Sequence, residues 1–292
     1  MKEIKKITGI YFSPTGKTEE VAGFMTKMFA ELLEVNYEMR SYTLPEERKK
    51  HYIFGDGELV IWASPVYAGR IPNKTLEYIA SAMEGHGTYA VPVAVYGNRN
   101  FDNALAEMWG ILKQSGFLPI GGAVIAARHT FSEVLAAGRP DAADYERICE
   151  FCEKLVQKLR SFADSESKTE QEIPGEQDPT AYYVPKKENG EPAKFLKARP
   201  KVREEFCVLC GLCETVCPMG SIKMESSKTE NKRSEDCPGR SLPIFEGICI
   251  KCQACIRKCP KQAIYMDDAD FLSHVKMLEQ NYMERKEPAF YL

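Results

Sequence analysis

Two runs of cysteine carry the densest chemistry in this chain of 292 residues. CVLCGLCETVCP sets Cys207, Cys210, Cys213 and Cys217 at relative positions 0, 3, 6 and 10, followed by Pro218. CIKCQACIRKCP repeats the pattern with Cys249, Cys252, Cys255 and Cys259, followed by Pro260. Thiolates bind soft metals, and three within seven residues can wrap a tight loop around one centre. The fourth lies past a helical turn and a chain-breaking proline, where it cannot turn back far enough to join them. A zinc ribbon wants two separated cysteine pairs and four ligands per ion, whereas here eight thiols come as two quartets.

The runs resemble those on which bacterial ferredoxins hold two 4Fe-4S clusters. The resemblance implies a crossed ligand set, with Cys207, Cys210, Cys213 and Cys259 on one cluster and Cys249, Cys252, Cys255 and Cys217 on the other. The runs belong to an internal repeat at an offset of 42 residues, in which Ser221-Ile-Lys-Met224 aligns with Ala263-Ile-Tyr-Met266. Both segments read as short strands. They make residues 204–266 a small α+β ferredoxin-like domain with little core apart from its clusters. A polar insertion near 226–240 contains Cys237, which is read as a bystander because both quartets are already complete.

The first half of the chain must supply the other elements. Residues 4–12 read as a buried strand, and Val21, Phe24, Met25, Met28, Phe29, Leu32 and Leu33 form a helical stripe behind it. Strand-like runs recur near 35–42, 58–63, 88–96 and 119–127. Helical stripes alternate with them around Leu76–Met83, Leu105–Leu112 and Tyr145–Leu159. Such alternation predicts a parallel sheet with helices on both faces.

Ligands of these sheets bind beyond the carboxyl ends of the strands, so the strand-end loops are the candidate site. The first loop is Ser13, Pro14, Thr15, Gly16, Lys17 and Thr18, a hydroxyl-rich turn opening a helix and suited to a phosphate. It is not a Walker A loop, because Tyr11 stands where that motif needs glycine. The second is Ser64, Pro65, Val66, Tyr67, Ala68, Gly69 and Arg70. The third is Tyr96, Gly97, Asn98, Arg99, Asn100, Phe101 and Asp102.

SPTGKT, SPVYAGRIP and YGNRNFDNAL resemble the FMN-binding loops of flavodoxin-like proteins. The resemblance covers residues 1 to about 162 and implies a doubly wound, five-stranded parallel sheet of order 2-1-3-4-5. It also implies that Ser13, Thr15, Lys17 and Thr18 hold the FMN phosphate, with Tyr67 and Tyr96 stacking on or edging the flavin ring. Arg70 and Arg99 are expected to ease reduction to the hydroquinone if they lie near the flavin, and otherwise to be solvated. His129, at the end of the fifth strand, could touch flavin, donate a proton or cap its loop. Asp141 reads as the N-cap of the last helix. Cys149 and Cys152 fall on that helix's apolar stripe and read as core thiols.

The expected domains are a flavodoxin-like domain at 1–163, a linker at 164–203, the ferredoxin-like domain at 204–266 and a helical tail at 267–292. The linker has lost all periodicity; the part with Tyr182, Tyr183, Phe195 and Leu196 is expected to lie against one domain, and only SESKTEQEIPGEQD to be mobile. The tail carries an apolar set at Phe271, Val275, Leu278 and Tyr282. A net charge of -3 with scattered lysines and arginines argues against nucleic acid. No apolar run approaches the ~20 residues that span a bilayer, and no signal-peptide core follows the first residues. The expected setting is therefore cytoplasmic, reducing and anaerobic.

A flavin takes two electrons and each cluster one, so the expected function is electron transfer between two 4Fe-4S clusters and FMN. Its partners would be redox proteins or a small electron acceptor, and a homodimer is left open. The alternatives are an FMN-dependent reductase of a quinone or nitro compound, and a binding or sensing protein with structural clusters. The whole chain resembles anaerobic flavodoxin and ferredoxin fusion proteins.

Overall fold

The computed structural model of the chain describes residues 3–161, 172–226 and 240–292. Strand β1 (Lys6–Tyr11) is buried from Ile7 onward. A strand covered on both faces reads as a nearly continuous apolar run and belongs inside a parallel sheet. It runs parallel to β2 (Asn36–Ser41) on one side and β3 (Glu58–Pro65) on the other. Beyond β3 lie β4 (Thr88–Tyr96) and β5 (Gly122–Ala126), also parallel. The order across these strands is β2-β1-β3-β4-β5.

Helices cover both faces. α1 (Lys17–Leu33) and α4 (Ala142–Ser161) close one core over Ile7, Ile61, Val93 and Ile125, to which they contribute Met25, Phe29 and Leu155. α2 (Asn73–Ala82) and α3 (Ala104–Gln114) close the other over Ile10, Trp62 and Ala94, contributing Ile79, Leu105 and Met108. Ile7 and Ile10 fall on opposite faces because successive strand side chains alternate. α1 lies close against β1 at Gly9, where an added Cβ would stand 2.5 Å from Thr26 Oγ1 and 2.6 Å from Met39 Sδ.

The second domain is built from short elements. β6 (Lys201–Val202), α5 (Leu212–Thr215), β7 (Ile222–Ser226), β8 (Arg240–Phe245), α6 (Ala254–Arg257) and β9 (Ile264–Tyr265) follow in order. β7 pairs antiparallel with β8, and β9 with β6. The core here is Ile222, Cys255 and Ile264, with Val202, Phe245 and Ile256 around it.

Two segments differ from expectation. In the connector, Ile173, within the stretch expected to be mobile, is buried in the sheet domain's core, while the Tyr183 N–H donates to Ala68 O at 2.8 Å, in the part expected to lie against a domain. Residues 165–171 of the expected mobile stretch lie outside the described residues, as does Cys237. The tail forms α7 (Ala269–Asn281), N-capped by Asp268 accepting from Phe271 N at 2.9 Å. It then returns as β10 (Ala289–Tyr291), antiparallel on β5. With β10 and the short strand Phe117–Pro119 on β4, the sheet has seven strands rather than five, one of them antiparallel. β10 occupies the backbone edge that β5 would otherwise present. No described helix is long and apolar enough to cross a membrane.

Gly9→Ala drives a methyl into Thr26 and Met39. It should lower stability by about 1–3 kcal/mol, read as a lower urea midpoint with an unchanged slope.

Candidate functional site

The two cysteine loops fold alike, residue for residue. Leu209 and Lys251 both take positive φ, at 56° and 58°. So do Gly211 and Gln253, at φ 77° and 63°. The Ser221 N–H donates to Cys217 Sγ at 3.3 Å, and the Ala263 N–H to Cys259 Sγ at 3.4 Å. Cys207, Cys210, Cys213 and Cys259 line one apolar cavity, while Cys217, Cys249, Cys252 and Cys255 line another. The fourth cysteine of each run therefore stands with the first three of the other.

The cavities face different surroundings. Around the first, Phe206, Val208 and Leu212 are 53%, 45% and 37% exposed, and Cys210 is exposed too. The second is pressed onto the strand-end side of the sheet. Thr130 Oγ1 donates to Cys252 O at 3.1 Å. Arg257 clamps the same loop, donating to Thr130 O at 2.9 Å and Ser132 O at 2.9 Å and pairing with Glu133. Arg48, from the turn after β2, donates to Pro218 O. Ile250 packs into the sheet domain's core. Burial, with Cys252 and Cys249 beside it, holds the Tyr67 hydroxyl well above its ordinary pKa.

The expected pair of 4Fe-4S clusters, the metal-binding and iron-sulfur character, and the electron-transfer function built on them are corrected by this geometry. Among the described residues, no three His, Cys, Asp or Glu side chains are grouped so as to hold a metal ion. The thiols line largely apolar walls, with Lys261 at the first cavity and Arg199 and Lys251 at the second. Burial pushes Cys213 up to about 11 and Cys252 up to about 12, and it raises Cys255 further. The donor set in this arrangement does not fit the clusters, and no chemical step is routed through them.

The expected FMN is corrected as well, because the loops assigned to it are engaged within the chain. In the first, the Lys17 amine pairs with Glu20 at 2.7 Å, and Ser13 Oγ accepts from Glu19 N at 3.0 Å. Glu19 and Glu20 place two carboxylates in the first turn of α1, where a phosphate would need to bind. Pro14 and Thr18 are buried beside half-buried Thr15 and Gly16. In the second, Ser64 is buried, Val66 N donates to Val95 O at 2.8 Å, and Tyr67 and Arg70 bridge one another. The Tyr183 N–H takes up Ala68 O, and Gly69 faces Asp102. Pro65 ends β3, half-buried.

In the third loop, buried Tyr96 packs edge-on to Phe101, and Gly97 is covered by the His129 ring. Asn98 Nδ2 donates to Tyr282 O at 2.7 Å and Glu284 O at 2.8 Å, anchoring the tail. Arg99 pairs with Asp102 and lies 3.9 Å from the centre of the Tyr183 ring. Arg70 is buried against Glu107 and lies over Tyr182, so neither arginine is solvated or free to act on a flavin. The two thiol-lined cavities and a third at Met39–Tyr52 include none of residues 13–18, 64–69 or 96–102.

His129 works inside its loop, with Nδ1 accepting from Phe131 N at 3.1 Å. Burial pushes its imidazole down to about 3 from an ordinary 6.5. Asp141 and Asp144 each accept from the other's N–H, at 3.2 and 2.9 Å, at the start of α4. Cys152 is buried on that helix and Cys149 half-buried. The sequence reading missed Arg257, Thr130, Arg48 and Glu107. Their partners, backbone carbonyls and a carboxylate for the first three and the Arg70 guanidinium for Glu107, lie far along the chain, so no local spacing marks them.

Residues 206–264 match the family model described as a 4Fe-4S dicluster domain, which covers less than half of the chain. No curated protein matches. Among solved structures, a flavodoxin from the domain Archaea is similar at 14% identity, covering 54% of this chain and 99% of its own, with a TM-score of 0.36. A short-chain flavodoxin associated with a non-canonical PDU bacterial microcompartment matches at 18% identity, over 53% and 99%, with a TM-score of 0.34. The rubredoxin:oxygen oxidoreductase of Desulfovibrio gigas matches at 15% identity, over 56% and 38%, with a TM-score of 0.36. Scores this low carry no argument about activity. The chain joins a mainly parallel α/β sheet region to a distinct segment that matches the dicluster family model.

Glu107→Leu leaves the Arg70 guanidinium buried without its carboxylate and should cost about 3–5 kcal/mol in denaturant unfolding. Below pH 6.5 the unfolded chain gains a proton on residue 129 that the folded chain refuses. Stability should therefore fall with pH by up to about 1.4 kcal/mol per unit, until His129 protonates in the fold as well. His129→Gln should flatten that fall in a pH series of urea midpoints, leaving the share due to His274, which burial also depresses.

Proposed function

We propose that the chain is an oxidoreductase of the electron-transfer kind, the general role that the match of residues 206–264 to a dicluster family model suggests. The observation behind this reading is the division of eight thiols, four and four, between two cavities of one small domain. One cavity faces outward under Phe206, Val208 and Leu212, and the other is seated on the strand-end face of the sheet. The proposed boundaries are a sheet domain at 1–163, a connector at 164–203, a thiol domain at 204–266 and the tail at 267–292.

The chain's own residues have separable tasks in this reading. Arg257, Thr130 and Arg48 hold the inner loop at a fixed distance from the sheet, which matters because electron exchange falls steeply with separation. Burial of Cys252 and Cys255 keeps water from these inner sulfurs and so strengthens local electrostatic effects there. Arg70–Glu107 and Arg99–Asp102 stiffen the strand-end loops that the inner cavity meets.

Anaerobic redox titration of the purified chain tests this, with iron, acid-labile sulfide and flavin measured on the same material so that the electron carrier is identified rather than assumed. Two reversible couples are expected, and Cys255→Ser and Cys213→Ser should each abolish a different one. A chain that takes up no electrons, or whose couples survive both substitutions, overturns the reading.

A further inference from the structure

The third cavity lies at the carboxyl end of β2, the edge strand of the sheet. It measures about 500 Å³ and is lined by Arg40 and Ser41 from the strand and by Glu47, Lys50, His51 and Tyr52 from the turn that follows. Carboxyl ends of parallel strands are where such sheets take ligands, and small-molecule sites commonly measure about 300–1,000 Å³. The loops after β1, β3 and β4 are engaged within the chain, whereas this strand end has room beside it. The Arg40 guanidinium is held over the Tyr52 and Phe54 rings, 5.1 and 5.5 Å from their centres. It pairs with Glu38, a carboxylate that Lys6 shares at 2.7 Å. Glu47, the one carboxylate in the lining, is engaged inside the turn, where its Oε2 accepts from the Leu44 N–H at 2.8 Å and the Ser41 hydroxyl at 2.7 Å. Lys50 and His51 are exposed, and neither side chain has an ion-pair or hydrogen-bond partner among the described residues. The Tyr78 hydroxyl donates to Lys50 O at 2.7 Å and holds the backbone that carries them.

We infer that this cavity binds a small polar molecule by a phosphate monoester group. A guanidinium offers a planar fork that matches phosphate oxygens, and an ammonium adds a point charge beside it. Arg40 supplies the first and Lys50 the second, with the His51 ring between them and the engaged Glu47 as the only opposing charge in the lining. A bare phosphate ion fills only part of such a volume, so the rest takes the body of the molecule. Ser41, Glu47 and His51 along the walls suit hydroxyl groups better than an acyl chain. The cavity shares no lining residue with the two that hold the thiols, and its chemistry stands whether or not those carry electrons.

Isothermal titration of the full chain at low ionic strength tests this, with glucose 6-phosphate, inorganic phosphate, succinate and glucose as probes. Glucose 6-phosphate should bind at one site per chain and glucose not at all, with inorganic phosphate and succinate each about tenfold weaker than the monoester. Lys50→Ala should weaken glucose 6-phosphate about tenfold, because a hydrogen bond between charged groups is lost, and Lys50→Arg should restore most of that loss. Arg40→Gln should weaken it by at least as much. Lys50 is exposed, so an unchanged urea midpoint is expected for both of its variants, and they decide the matter if Arg40→Gln fails to fold. No binding of glucose 6-phosphate overturns the inference. So does binding that inorganic phosphate or succinate equals, or that persists undiminished in folded Lys50→Ala.

Discussion

The seating of one cysteine loop on the strand-end face of the sheet is the constraint on which the arrangement depends. It is made largely of hydrogen bonds to backbone carbonyls: Arg257 to Thr130 and Ser132, Thr130 to Cys252, and Arg48 to Pro218. Carbonyls at loop ends have no strand or helix partner, and burial makes an unanswered one costly. A guanidinium with five donors can satisfy several of them together. The contact thus joins the domains by completing the hydrogen bonding of both. It also explains why the loop after β5, free at the end of the sheet, is ordered from Arg128 through Arg139.

That seating makes two similar loops unequal. The repeat gives each loop the same left-handed turns and the same N–H to sulfur bond at its fourth cysteine. Only one of them then meets the sheet, and only that one replaces glycine by glutamine. The other keeps an exposed apolar rim. A duplicated domain docked by one half has an inside and an outside, and a difference in chemistry follows from that difference in place.

Much of the sheet domain could be read in advance from particular residues. Ile7 to Tyr11 announced a central strand, and the stripe through Val21, Met25 and Phe29 a covering helix, because burial imposes its period directly on residue choice. The antiparallel β10 was not legible: three residues have too little pattern to mark a strand, and their partner lies far back in the chain. Nor was the engagement of the strand-end loops. Asn98, Arg99 and Arg70 look like ligand-binding residues at a strand end, yet each is taken by a group from a distant segment.

The sequence by itself determined which residues could do chemistry and which segments would be strand or helix, since cysteine spacing and apolar period are local properties. Tertiary structure alone decided where those residues came to rest. It parted the thiols into an outer and an inner set and filled the loops expected to hold a flavin. The reason is that these outcomes depend on contacts between residues far apart in the chain, and local spacing carries no record of them.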